Sequence, residues 1–183
     1  MSSTFVALVR GINVGGKNSL RMNDLVAIFE RAGCARVRSY IQSGNVVFDA
    51  EPARAGGIAA HVSAEIEERF GLRVPVMLRS ARELRAIASK NPFLGTEASL
   101  ASLHVMFLAD DPGKSRVAAL DPDRSPPDTF VVRGREIYLA CPNGVGKSKL
   151  TSAWFDAKLA TISTARNWNT VLKLVPMCGE QKG

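Results

Sequence analysis

At 183 residues, 46% hydrophobic and 22% charged, the chain has room for a sizeable core and the ordinary composition of a soluble globular protein. No apolar run approaches the roughly 18 residues of a membrane span, and the start Met1-Ser2-Ser3-Thr4-Phe5 lacks the basic and apolar regions of a signal peptide, so no membrane partner and a cytoplasmic location are expected. The net charge is +7, and the three cysteines, Cys34, Cys141 and Cys178, are odd in number with no paired spacing, which predicts free thiols in a reducing compartment.

Thr4–Arg10 is an apolar run that ends at a glycine, the pattern of a buried strand. Asn23–Ala32 follows as a helix, with Leu25, Ile28, Phe29 and Ala32 at helical spacing and Gly33 as its stop. Arg36–Ile41 and Asn45–Phe48 read as strands of a hairpin turning at Gln42-Ser43-Gly44. Ile58–Phe70 is a helix closed by Gly71, and Val74–Leu78 is a strand. The order βαββαβ is the ferredoxin-like plan. Ser80–Ala88 makes a bridging helix, broken at Asn91-Pro92.

A similar order then begins again. Leu103–Ala109 is a strand, Gly113–Leu120 a helix, Thr129–Val132 and Glu136–Ala140 strands around Arg133-Gly134-Arg135, and Ser148–Leu159 a helix. No final strand is visible; a helix from Ala165 to Leu174 takes its place, with Trp168, Val171 and Leu172 in its apolar stripe. The expected fold is α+β, two tandem ferredoxin-like halves of βαββα type with antiparallel sheets, over residues 1–90 and 91–183. Phe5–Val9 and Val105–Leu108 are apolar on both faces, so both sheet faces should be covered. That argues against an RNA-recognition sheet, which needs exposed aromatics.

Two loops are near misses to one phosphate-binding motif. Gly11-Ile12-Asn13-Val14-Gly15-Gly16-Lys17-Asn18 has the spacing of a Walker A loop, with Asn18 where a Mg²⁺-binding hydroxyl belongs. Cys141-Pro142-Asn143-Gly144-Val145-Gly146-Lys147-Ser148 ends correctly but lacks the first glycine. Met106–Asp110 resembles a Walker B strand. Against a P-loop, the first helix begins too far from Lys17, and two tight hairpins imply antiparallel pairing where P-loop proteins need parallel βα units. ATP hydrolysis by a P-loop is therefore set aside.

The second loop carries a different argument. Lys147 and Lys149 would stand at the N-terminus of the Ser148–Leu159 helix, where the dipole disfavours cations. An anion there would meet free N–H groups and both lysines, with Ser148 capping the helix or touching the anion. On the closing helix, Arg166, Asn169, Thr170 and Lys173 fall on a face apart from the stripe, which suggests a hydrogen-bonding role; the bland alternative is an Asn-rich first turn that caps the helix. Trp168 and Cys141 read as core rather than as a ligand platform and a nucleophile. His61 and His104 have no partner at ligand spacing, so no metal site is expected.

Arg10–Asn18, Met22, Leu25, Tyr40–Phe48, Pro142-Asn143-Gly144, Ser148–Thr151 and Arg166–Thr170 together resemble the signature of an uncharacterised, mainly bacterial family, domain of unknown function 1697. The resemblance implies two ferredoxin-like halves and implies no activity, so no catalytic residue or cofactor follows from it. Asn18 then looks like the family's own loop rather than a decayed NTPase loop.

The expected site takes a phosphate-bearing anion, a nucleotide or a nucleic acid. It gathers Arg10, Asn13, Lys17 and Asn18 from the first loop, and Asn143, Lys147, Ser148 and Lys149 from the second, with Arg166 and Asn169 beside them. Residues 1–90 hold 13 basic and 8 acidic side chains, residues 91–183 hold 11 and 9, so both halves attract anions. Two other classes stay open. An enzyme acting on a small anionic metabolite needs a perturbed titratable group beside the lysines. A non-catalytic interaction protein would show an exposed apolar patch instead.

Overall fold

A computed structural model describes residues 1–179; residues 180–183, the end of the expected second half, lie outside the described residues. The chain divides into two compact units, Met1–Arg85 with the C-terminal segment from Leu174, and Ala86–Lys173.

In the first unit, β1 (Ser3–Val9), α1 (Met22–Arg31), β2 (Ala35–Tyr40), β3 (Asn45–Ala50), α2 (Pro52–Phe70) and β4 (Val76–Ser80) are followed by α3 (Ala81–Ser89). The sheet order is β2-β3-β1-β4, with every pairing antiparallel. Leu25, Ile28 and Phe29 of α1 and Ile58, Val62 and Ile66 of α2 pack on Ala7, Val9, Val46 and Phe48 of the sheet. Phe48 lies against Phe29 at 5.1 Å and Phe5 at 5.9 Å between ring centroids. Gly71 closes α2 in the left-handed conformation. The helix begins six residues earlier than the apolar spacing indicated, with Pro52 at its start, where a fixed φ suits the first turn and the missing N–H costs nothing. Val6 and Leu8, which alternate with Ala7 and Val9, are fully buried as well, so β1 is covered on both faces.

The second unit repeats the plan with β5 (Leu103–Leu108), α4 (Lys114–Ala118), β6 (Thr129–Arg133), β7 (Glu136–Ala140), α5 (Ser152–Leu159) and β8 (Ser163–Asn167); α6 (Trp168–Met177) follows. Its sheet order, β6-β7-β5-β8, corresponds strand for strand to the first. The ferredoxin-like reading is thus fuller than expected. The final strand, missing from the hydrophobic pattern, is β8, paired antiparallel to β5 from His104↔Asn167 to Leu108↔Ser163. The expected helix from Ala165 is corrected accordingly: three of its residues belong to the strand. Asn167 then caps α6, accepting from the Thr170 N–H at 2.8 Å. The Asn-rich turn is a cap, and Trp168, 1% exposed, is core.

The start of α5 needs a second correction. The helix begins at Ser152, not Ser148, because Thr151 is the cap: its hydroxyl accepts from the Trp154 N–H. Thr151→Ala is expected to cost about 1 kcal/mol of stability, read as a lowered denaturant midpoint.

Candidate functional site

The first glycine–lysine loop leaves the end of β1. Gly11, Asn13, Gly15, Gly16 and Asn18 all have positive φ, between 51° and 74°. Only Gly, and to a lesser degree Asn, adopts this region readily, so the composition of the loop follows from its backbone path. Val14 to Lys17 form a tight turn, closed by the Lys17 N–H donating to Val14 O at 3.0 Å, with Gly15 and Gly16 as its left-handed central pair.

Asn13 and Asn18 hold this turn in place. Asn13 Nδ2 donates to Leu20 O at 2.8 Å and to Gln42 O at 2.9 Å, and its Oδ1 accepts from the Leu20 N–H at 2.8 Å. Asn18 Nδ2 donates to Gly11 O at 2.9 Å. The bond to Gln42 ties the loop to the β2–β3 turn, and the Arg10 N–H donates to Pro75 O at 2.9 Å, tying it to the entry of β4. Three connections therefore meet at one end of this sheet. Residues 10–21 carry three basic side chains, Arg10, Lys17 and Arg21, and no acidic one. Lys17 is exposed and Arg10 half-buried. Among the described residues, the N–H groups of Gly15 and Gly16 have no protein acceptor. Val14 and Ile41, one residue to either side of the Asn13–Gln42 bond, are 63% and 50% exposed, and Ile41 holds φ 51°, an unfavourable value for a β-branched residue. Neither stood out in the sequence, because isolated apolar residues in turns are unremarkable there.

The second loop is built differently. It follows β7, at the end of its sheet where β5 begins, as the Cys141 N–H bond to Ser102 O at 2.9 Å shows. The position that corresponds to the first loop in this unit is the β5–α4 connection, which holds Asp110 and Asp111 and no lysine. The two near misses therefore occupy non-equivalent places in the repeat. A single turn of 3-10 helix spans Val145–Lys147, and the chain is extended at Ser148. Ser148 Oγ accepts from the Leu150 N–H at 3.0 Å, and the Lys149 N–H donates to Ser125 Oγ at 3.0 Å, itself bonded to Asp128 at 2.8 Å. Lys147 and Lys149 are exposed but precede α5 by several residues, so the helix-dipole argument for an anion does not apply to them. Asn143 and Asn169 are exposed. Arg166 is not on the helix face with Asn169. It lies on β8, 7% exposed, with Nη1 donating to Thr164 Oγ1 at 2.8 Å and Ala165 O at 2.7 Å, and burial lowers its pKa to about 10.

Cys141 is fully buried at the foot of this loop. Burial, then the Asp128 charge, pushes its thiol pKa up, partly offset by a hydrogen bond from Ser148. A thiol held protonated is a poor nucleophile, which agrees with its reading as core.

Two helix-covered sheets with matching antiparallel strand orders, and a basic glycine–asparagine turn after the end of β1, define a tandem ferredoxin-like protein. The chain belongs to the family described as "Protein of unknown function (DUF1697)", whose model matches residues 2–138. Among solved structures, it is similar to a conserved bacterial protein, SP0830 from Streptococcus pneumoniae, with 22% identity and a TM-score of 0.74 over 97% of this chain and 99% of that one. No curated protein matches it. No helix among the described residues is long and apolar enough to cross a membrane.

Proposed function

We propose that the protein binds a phosphate-bearing anion, a nucleotide or the backbone of a nucleic acid, at the Gly11–Asn18 turn. The supporting observation is the braced turn itself: four side-chain hydrogen bonds from Asn13 and Asn18 fix it, while two adjacent glycine N–H groups stay unpartnered beside exposed Lys17. Successive N–H groups in a fixed turn make an anion-binding concavity, and a nearby ammonium adds to it. Arg10 and Arg21 supply further positive charge. In the second unit, exposed Lys147 and Lys149 carry positive charge, Asn143 and Asn169 are exposed and Ser148 is half-buried, without a helix N-terminus behind them.

A melting screen with nucleotides, phosphate, sulfate and short oligonucleotides tests this reading, since a ligand of the native state raises the apparent stability. Lys17→Ala should change intrinsic stability by less than about 0.5 kcal/mol, as expected of an exposed side chain, and should reduce the ligand-induced rise in Tm. Unchanged melting with every anion would reject the proposal. Nucleic acid, as opposed to a nucleotide, would add a steep salt dependence.

One observation favours a second reading, a non-catalytic interaction protein. Val14 and Ile41 place exposed apolar side chains on the two turns joined through Asn13 and Gln42. If that is their role, Val14→Ser with Ile41→Ser abolishes self-association or partner binding and leaves anion-induced stabilisation intact.

A further inference from the structure

At the other end of the same sheet, where β1 begins and β4 passes into α3, a cleft of about 630 Å³ opens among Ser2, Thr4, Ser80, Arg82, Arg85 and Cys178. From Phe5, which lines the cleft, β1 runs on to Val9, two residues short of Gly11, roughly 20 Å at about 3.3 Å per residue. Arg82 and Arg85 are three apart on α3, so both guanidiniums emerge on one face of the helix. Both are exposed, and neither makes a hydrogen bond or ion pair with any described residue.

The carboxylates bonded to the lining residues are already engaged. Glu83 Oε2 accepts from the Ser80 N–H at 2.7 Å and from Ser80 Oγ at 2.9 Å, while the Glu83 N–H donates to Ser80 Oγ, a reciprocal cap of α3. Asp49 accepts from Thr4 Oγ1 at 2.7 Å and pairs with Arg36. Among the described residues, the lining of the cleft holds two like charges three positions apart, an unfavourable arrangement on a helix surface, with hydroxyl groups around them and no carboxylate. Its volume suits a ligand of nucleotide size.

We infer that this cleft is a second binding site, for a small phosphate monoester whose dianionic group is held between Arg82 and Arg85. Planar guanidiniums offer paired N–H donors to phosphate oxygens, and the serine and threonine hydroxyls meet the rest of the ligand. The site is independent of the turn at the far end of β1.

Titration of Lys17→Ala protein with AMP, ribose 5-phosphate and inorganic phosphate, read by calorimetry, tests the inference with the turn disabled. One saturable site is expected for at least one of the two phosphate monoesters. Adding Arg82→Gln and Arg85→Gln should weaken it at least tenfold. In Lys17→Ala protein with both arginines present, the Nε–H resonances of Arg82 and Arg85 should shift during the same titration, which keeps the test valid if the combined variant folds poorly. No binding of any probe, unaltered affinity after both substitutions, or arginine resonances unmoved at saturation would each overturn it. In the wild-type protein, turn amides of Gly15, Gly16 and Lys17 that stay unmoved while the arginine resonances respond would instead reject the turn proposal and leave the cleft standing.

Discussion

Gly44→Ala is expected to destabilise the protein by about 2–4 kcal/mol, combining a left-handed backbone penalty with overpacking. Gly44 has φ 76°, and a Cβ built there would lie 2.9 Å from both Val9 Cβ and Ile12 Cδ1. Val9 Cβ is fixed by the strand and Ile12 is 1% exposed, so neither can retreat far. Gly44 O also accepts from the Val9 N–H at 2.8 Å, which holds the β2–β3 turn against the end of β1. Gly134→Ala is the matched control: φ is 58°, and nothing lies within 4 Å of the added Cβ. It should cost only the backbone penalty, about 1 kcal/mol. Denaturant midpoints of the two variants separate the causes, and equal losses would show that the close approach at Gly44 carries no energy.

Asn13→Ala is the second large effect, about 2–3 kcal/mol from three lost hydrogen bonds and a left-handed residue that Ala tolerates less well. The Leu20 N–H and the carbonyls of Leu20 and Gln42 all lose their Asn13 partner. Leu20 is 2% exposed, so its N–H is poorly placed to recover a bond from water. Asn13→Gly keeps the backbone conformation and removes only the side chain, and should lose about 1–2 kcal/mol. In both variants the turn loosens, so anion-induced stabilisation should fall with Lys17 still present. A variant that unfolds less readily than Lys17→Ala would contradict the bracing role.

Where apolar side chains pack one face of an element, the sequence was a good guide. Leu25, Ile28 and Phe29 marked α1, and the runs in β1 and β5 marked doubly covered strands. The strand β8 was hidden because its buried positions are polar: Ser163, Thr164 and Arg166 are each less than 10% exposed. They are satisfied by Asp156 and by one another, contacts that hydrophobic periodicity cannot register. The start of α5 was hidden for a related reason. The Lys149 N–H is taken by Ser125, 24 residues away, and Ser148 serves its own local turn, which leaves Thr151 as the cap. The candidate site was legible as a location in the first loop, where five left-handed positions demand Gly or Asn. In the second loop, the reading depended on a helix start that tertiary hydrogen bonds moved.

This difference changes what the two glycine–lysine loops mean. The first is a hairpin whose glycines and asparagines are explained by its backbone, which leaves Lys17 and two N–H groups as the part proposed to face a ligand. The second is an extended entry to a capped helix. Antiparallel sheets in both units give neither loop the parallel strand–loop–helix setting that a P-loop requires.

The amide resonances of Gly15, Gly16 and Lys17, followed by ¹⁵N–¹H spectra during titration with ATP, inorganic phosphate and a short single-stranded oligonucleotide, test anion binding at the turn most directly. Saturable shifts centred on those three amides, abolished in Lys17→Ala and weakened in Asn13→Gly, are the predicted result. Amides at the turn that stay unmoved by all three probes at millimolar concentration would contradict it.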